Sequence, residues 1–204
     1  MNAIFAFGAG LVSLRLAADL VRRIRSRRSP ELVAWSASLV AYAVASAALA
    51  AGAAGGWHGA TFRVYYLFGG LLTAPLLGVG SLLRVGLRRA APVGLVYTGL
   101  AIGLAVAAPL THPVTGTAIP SAQGHFDLFP ARVLAIAGNS LGTLAVVAVV
   151  LATMRKRPRG NVLILAGVGV AALGSALTGL GEAGTSAFFA LAAALLYGGV
   201  VSGR

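Results

Sequence analysis

No cysteine occurs in the 204 residues, which removes disulfides, thiolate metal sites, cysteine nucleophiles and CxxC redox chemistry together. Acids are almost as scarce, and Asp19, Glu31, Asp127 and Glu182 are the only four. Lys156 is the sole lysine and Gln123 the sole glutamine. Charged residues make up 10% of the chain, where soluble domains carry roughly a quarter, so a water-facing surface could not be covered. Nucleotide-binding signatures are missing too: there is no Walker A and no GxGxxG at a strand-to-helix turn. Disorder is excluded from the opposite side, because 58% of the residues are apolar and the mean hydropathy is +0.91. What remains is an all-α, polytopic transmembrane helix bundle, read as a single transmembrane domain over residues 1–204.

Seven stretches are free of charge or nearly so. A helix needs about 20 apolar residues to cross a hydrocarbon core of roughly 30 Å at about 1.5 Å per residue. The expected spans are Asn2–Val21, Leu32–Ala54, Tyr65–Leu83, Pro92–Leu110, Arg132–Met154, Val162–Gly181 and Ser186–Val201. The last is the shortest, and the first carries Arg15 and Asp19.

The net charge of +12 comes from 16 basic residues, fifteen of them arginine. They sit in short clusters between the spans, which is a topology pattern and not a nucleic-acid-binding one. Segments 22–31, 84–91 and 154–161 hold five, three and four basic residues, and Arg204 brings that side to thirteen. The other side has Arg63 and Arg132 alone. The positive-inside rule therefore predicts cytoplasmic basic loops, an outside N-terminus and an inside C-terminus in a bacterial cytoplasmic membrane. A cleaved signal peptide is not expected, since Arg22 to Arg28 follow the first apolar stretch instead of preceding it.

The order of features repeats faintly. The first and fifth spans each lead into a basic run, and the second and sixth each end in a glycine-rich stretch. The third opens with Tyr65-Tyr66 and the seventh with Phe188-Phe189. Three helices, a linker helix and three helices would make parallel repeats, a plan known for small transporters with a site at the midplane. Gly99-x-x-x-Gly103 and Gly138-x-x-x-Gly142 have the small-xxx-small spacing that lets helix backbones approach, within the bundle or towards a second copy or another membrane subunit. Pro75 interrupts the third span and leaves a backbone carbonyl without its donor. The longest connection, residues 111–130, contains Pro113, Pro120 and Pro130 and is expected to lie over the outer helix ends.

Candidate sites follow from the few polar residues. Asn139, midway along the fifth span, must find a partner inside the bundle. It is either an interhelical clamp or, with Thr98, Tyr97 and Thr73, a wall of a substrate pocket. Arg15, Asp19 and Arg23 stand one turn apart and suggest an interfacial ion pair. His58, His112, His125 and Asp127 all fall on the outer side and are the ligand types of a zinc or copper site. No HxxxH, HExxH or HxH spacing joins them, so no metal and no cofactor is expected, and the histidines are expected to tie the long loop to Asp127 or Glu182.

The seven-helix, N-out, three-one-three layout resembles the SWEET and PQ-loop solute carriers, and that resemblance implies transport of a small solute. The first and fifth spans lack the internal proline of those carriers, and the only glutamine lies in a loop. Microbial rhodopsins are similar in layout, but their retinal needs a lysine in the seventh helix and none is present. Seven-helix membrane hydrolases have a zinc-binding His and Asp set that is not matched. Tyr65-Tyr66-Leu67-Phe68-Gly69 and Asn161-Val162-Leu163-Ile164 look like segments of small bacterial seven-helix membrane proteins, a likeness that carries no activity.

Three functional readings survive. A small-solute or lipid-like carrier predicts a polar cavity around Asn139 and Thr98. A non-catalytic structural or regulatory membrane subunit predicts a dry, packed bundle. A metal-dependent enzyme on the outer face predicts convergence of the three histidines.

Overall fold

The computed structural model describes residues 29–156 and 158–179 continuously, with side chains to 170, and single helical residues between 8 and 22 and between 191 and 199. Among these described residues there is no strand, and helical residues occur in all seven expected spans. Four helices are long and apolar enough to cross a membrane. They are α1 (Pro30–Gly55), α2 (Gly59–Arg84), α3 (Ala90–Ala107) and α5 (Leu128–Thr153), with a short α4 (Ala122–His125) in the connection before α5. A further helix, α6 (Pro158–Gly179), follows α5.

Local chemistry sets the ends of these helices. Proline occupies the first turn of α1, where its missing N–H costs nothing, and Glu31 sits beside it at the positive end of the helix dipole. The chain leaves α1 through Gly56, whose φ of 90° suits glycine and whose N–H bonds Gly52 O. The start of α2 lies six residues before the expected Tyr65, because the His58 ring caps it by accepting from the Thr61 N–H. At α5 the regular helix begins close to the expected Arg132, because Phe129, one residue after Leu128, is extended (φ −110°, ψ 137°). Arg63, assigned to the loop before the third span, is absorbed into the first turns of α2, and Arg63 and Arg132 are each half-buried on their helices.

The centre of the bundle is α2, packed against α1 on one side and α5 on the other, with α3 beside its middle. Glycine permits the closest of these approaches. A Cβ at Gly78 would stand 2.7 Å from the Gly142 Cα, and one at Gly142 only 2.5 Å from the Ala74 carbonyl oxygen. Gly138 and Gly142 are therefore the packing pair that their spacing predicts. Nothing lies within 4 Å of a Cβ built at Gly99 or Gly103. That second pair is open, on a helix whose Leu95 and Val106 are about three-quarters exposed (74% and 75%). Such a surface belongs in lipid and not in water.

Of the faint repeat, Phe188-Phe189 and residues 180–184 lie outside the described residues. Glu182 lies there too, as does Arg23.

Candidate functional site

Inside α2 the residues Tyr66–Leu72 form a π-helical stretch, which ends just before Pro75. The α pattern would pair Leu71 O with the N–H of residue 75, and the π pattern would pair Gly70 O with that same N–H. Proline has none. The missing N–H leaves one of these two carbonyls without its donor, and the change from π to α register leaves one carbonyl more than there are backbone donors; an unmet carbonyl costs several kcal/mol in hydrocarbon.

Side chains from the neighbouring helices supply the donors. Asn139 Nδ2 of α5 donates to Gly70 O at 2.7 Å. Tyr97 Oη of α3 donates to Leu71 O at 2.8 Å and lies 3.4 Å from Leu134 O. Ser38 Oγ of α1, only 2% exposed, donates to Thr73 O at 2.7 Å. Thr73 itself donates to Phe68 O at 2.7 Å, five residues back. Every helix packed on α2 therefore sends one polar group to the same broken turn.

Three of the four residues expected around a midplane pocket, Asn139, Tyr97 and Thr73, do gather here. Thr98 does not join them: its hydroxyl bonds back to Gly94 O of its own helix at 2.8 Å. Ser38 takes the fourth place. Its sequence signal was weak, since a serine in an apolar helix ordinarily bonds its own backbone and requires no partner elsewhere. Gly138 holds this cluster tight, because a Cβ there would run into the Tyr97 hydroxyl.

The end of the bundle that carries the 108–127 connection is filled by rings. Phe62, Tyr66 and Phe126 pack at centroid distances of 5.5 Å for Phe62–Phe126 and 4.8 Å for Tyr66–Phe126. Trp57 meets Tyr65 edge-on at 5.4 Å and covers Gly52. Phe62 and Phe126 are 1% and 2% exposed, so the connection plugs the bundle with one of its own side chains. Its backbone is tied down by Trp57 N–H to Gly116 O at 2.7 Å and Thr111 N–H to His125 O at 3.0 Å. Arg63 reaches across to Ala105 O at 2.7 Å, placing a cation on the carbonyl end of α3.

The three histidines serve these same local ties. His58 bonds the Thr61 hydroxyl through Nε2 at 2.7 Å. His112 Nδ1 donates to Gly124 O at 3.1 Å, and His125 Nδ1 to Ser121 O at 2.9 Å. Their partners among the described residues are threonine and backbone carbonyls, and Asp127 forms no ion pair there, while Glu182, the other acid expected to meet them, lies outside the described residues. Nor do three His, Asp or Glu residues among them gather where one ion could be held. Near the other end of the bundle, Asp19 faces Arg22 at 3.9 Å, an i,i+3 pair with Arg22 78% exposed. So exposed a pair is worth little, and the expected partner Arg23 lies outside the described residues. Arg15 is exposed.

The chain matches no protein-family model, no curated protein and no solved structure.

Proposed function

We propose that this chain is a non-catalytic structural or regulatory protein of the bacterial cytoplasmic membrane, with its basic loops in the cytoplasm and the 108–127 connection outside. One observation carries the reading. The midplane donors of Asn139 and Tyr97 are spent on the carbonyls of the turn broken at Pro75, and that of Ser38 on Thr73 O beside it, so these side chains act as clamps between helices. The aromatic plug supports it, since a carrier needs a path at both ends and Phe126 fills one of them. The open Gly99 and Gly103 face of α3 is then the surface offered to a second copy or to another membrane helix. The carrier reading draws support from one feature, a cavity between helix ends at the basic side.

Asn139→Leu separates the two. A clamp predicts a loss of about 0.5–2 kcal/mol of stability in detergent, the range of interhelical side-chain hydrogen bonds, read as a lower melting temperature. A variant that melts at or above the wild-type temperature would return Asn139 to a functional pocket, where polar groups are commonly underpaired. Orientation is tested separately, and easily, because the chain has no cysteine. An impermeant thiol reagent on intact cells should label Ser121→Cys and spare Leu87→Cys. The reverse pattern would invert the topology.

A further inference from the structure

At the basic end the helix termini do not close on one another. A cavity of about 250 Å³ lies between the start of α1, the ends of α2 and α5, the first turn of α6 and the helical residues near Leu196. Its inner wall is apolar, built from Leu77, Val146, Val149 and Val150. Its mouth holds Arg84 and Lys156, and no acid is among its described lining residues. From Val146 to Thr153 the wall follows the last two turns of α5, about 10 Å at the helical rise, with Lys156 in the turn beyond.

Three sources of positive potential meet at this mouth. Lys156 is exposed at the turn after α5. Arg84 lies with its guanidinium carbon 5.5 Å from the centre of the Trp35 ring, and that ring is seated flat on Gly80, where a Cβ would strike it. The third source is the N-terminal turn of α6, whose Gly160 and Asn161 line the cavity. First-turn N–H groups have no helical acceptor and carry the positive end of the dipole. Asn161, 6% exposed, locks that turn in place by donating from Nδ2 to Val150 O at 3.1 Å and to Thr153 Oγ1 at 3.0 Å.

We propose that this cavity binds an anionic phospholipid, with its phosphate at the mouth between Lys156, Arg84 and the first turn of α6, and the start of an acyl chain along the valine wall. The order of chemistry, cationic at the rim and apolar within, matches an amphiphile better than a free anion, which has no use for the wall. The volume suits a headgroup and the first methylenes, and leaves the remaining chain in the bilayer. A basic helix end at the membrane surface also attracts anionic lipid by default, and the cavity turns this general attraction into one defined place.

The test uses the full chain, purified in neutral detergent and stripped of lipid. It is loaded with phosphatidylglycerol, with phosphatidylcholine of the same acyl chains, or with glycerol phosphate alone. Retained lipid is counted by native mass spectrometry, and melting is followed in parallel. One phosphatidylglycerol should be retained at least tenfold more strongly than phosphatidylcholine, with a higher melting temperature. Lys156→Gln should lose most of that preference. Val85→Trp, which places a large ring at a half-exposed position of the mouth, should lose retention while melting normally without lipid. Equal retention of both lipids would overturn the proposal, as would undiminished binding to either variant. A melting shift given in full by glycerol phosphate would overturn it in favour of a soluble anion.

Discussion

The two ends of this bundle solve the same problem, closing a set of helix termini, in opposite ways. At one end an aromatic from the connection is driven between helices, and Trp57, Phe62, Tyr66, Val114 and Phe126 are all nearly inaccessible. At the other end the described connections include the short basic segments 85–89 and 154–157, where Val85 and Leu87 stay about half exposed (49% each) and no ring is sent inward, and a cavity remains. Length decides this difference. A connection of twenty residues, 108 to 127, is long enough to double back and insert a ring, whereas a four- or five-residue turn is consumed in reversing direction. The basic turns carry a second constraint, because arginines must stay hydrated or at headgroups and cannot fill a core. A filled end gains rigidity, and a hollow, cationic end is left able to take a ligand.

This contrast is open to direct attack. The largest effect is expected at the plug. Phe126→Ala removes a ring that touches Phe62 and Tyr66, and it should cost about 3–5 kcal/mol, measured as a fall in melting temperature in detergent. A loss under about 1 kcal/mol would mean that the connection rests on the bundle without bracing it. Next comes overfilling. Val114→Leu adds a methylene at a site that is 6% exposed, and it should cost about 1–3 kcal/mol because the surrounding rings leave no slack. The same change at the hollow end, Val149→Leu, should do little harm or add about 0.5 kcal/mol in lipid-free protein, since the new methylene enters a void. If Val114→Leu and Val149→Leu prove equally costly, the two ends are equally packed and the comparison fails.

The midplane shows how a break in one helix organises its neighbours. Pro75 alone would free one carbonyl, yet the π turn before it frees a second, and the answers come from Asn139 on α5 and Tyr97 on α3. Ser38 from α1 completes the set at Thr73 O. The cost of an unmet carbonyl in hydrocarbon makes these three contacts a registration device. Sliding α5 or α3 by one turn along α2 would move its donor about 5.4 Å away and reopen the gap. Glycine allows the approach: Gly78 on α2 and Gly142 on α5 meet backbone to backbone one turn past the kink.

The sequence by itself determined the helical, membrane-like character of the chain, where the four long apolar helices lie to within about six residues, and that Asn139 and Pro75 each needed a partner. These are sums along the chain. Hydropathy over about 20 residues, the placing of arginines and the missing proline N–H can all be read without knowing what stands beside what. Tertiary structure alone decided that the two needs answer each other, that Thr98 turns back on its own helix while Ser38 crosses to α2, and that one glycine pair is packed while its twin is open. It also decided that His112 and His125 serve the connection while His58 caps α2, and that the basic end is hollow. Each of these depends on the rotation of one helix against another. A face roughly 100° wide chooses between a neighbour and lipid, and a uniformly apolar helix carries almost no signal of where that face points.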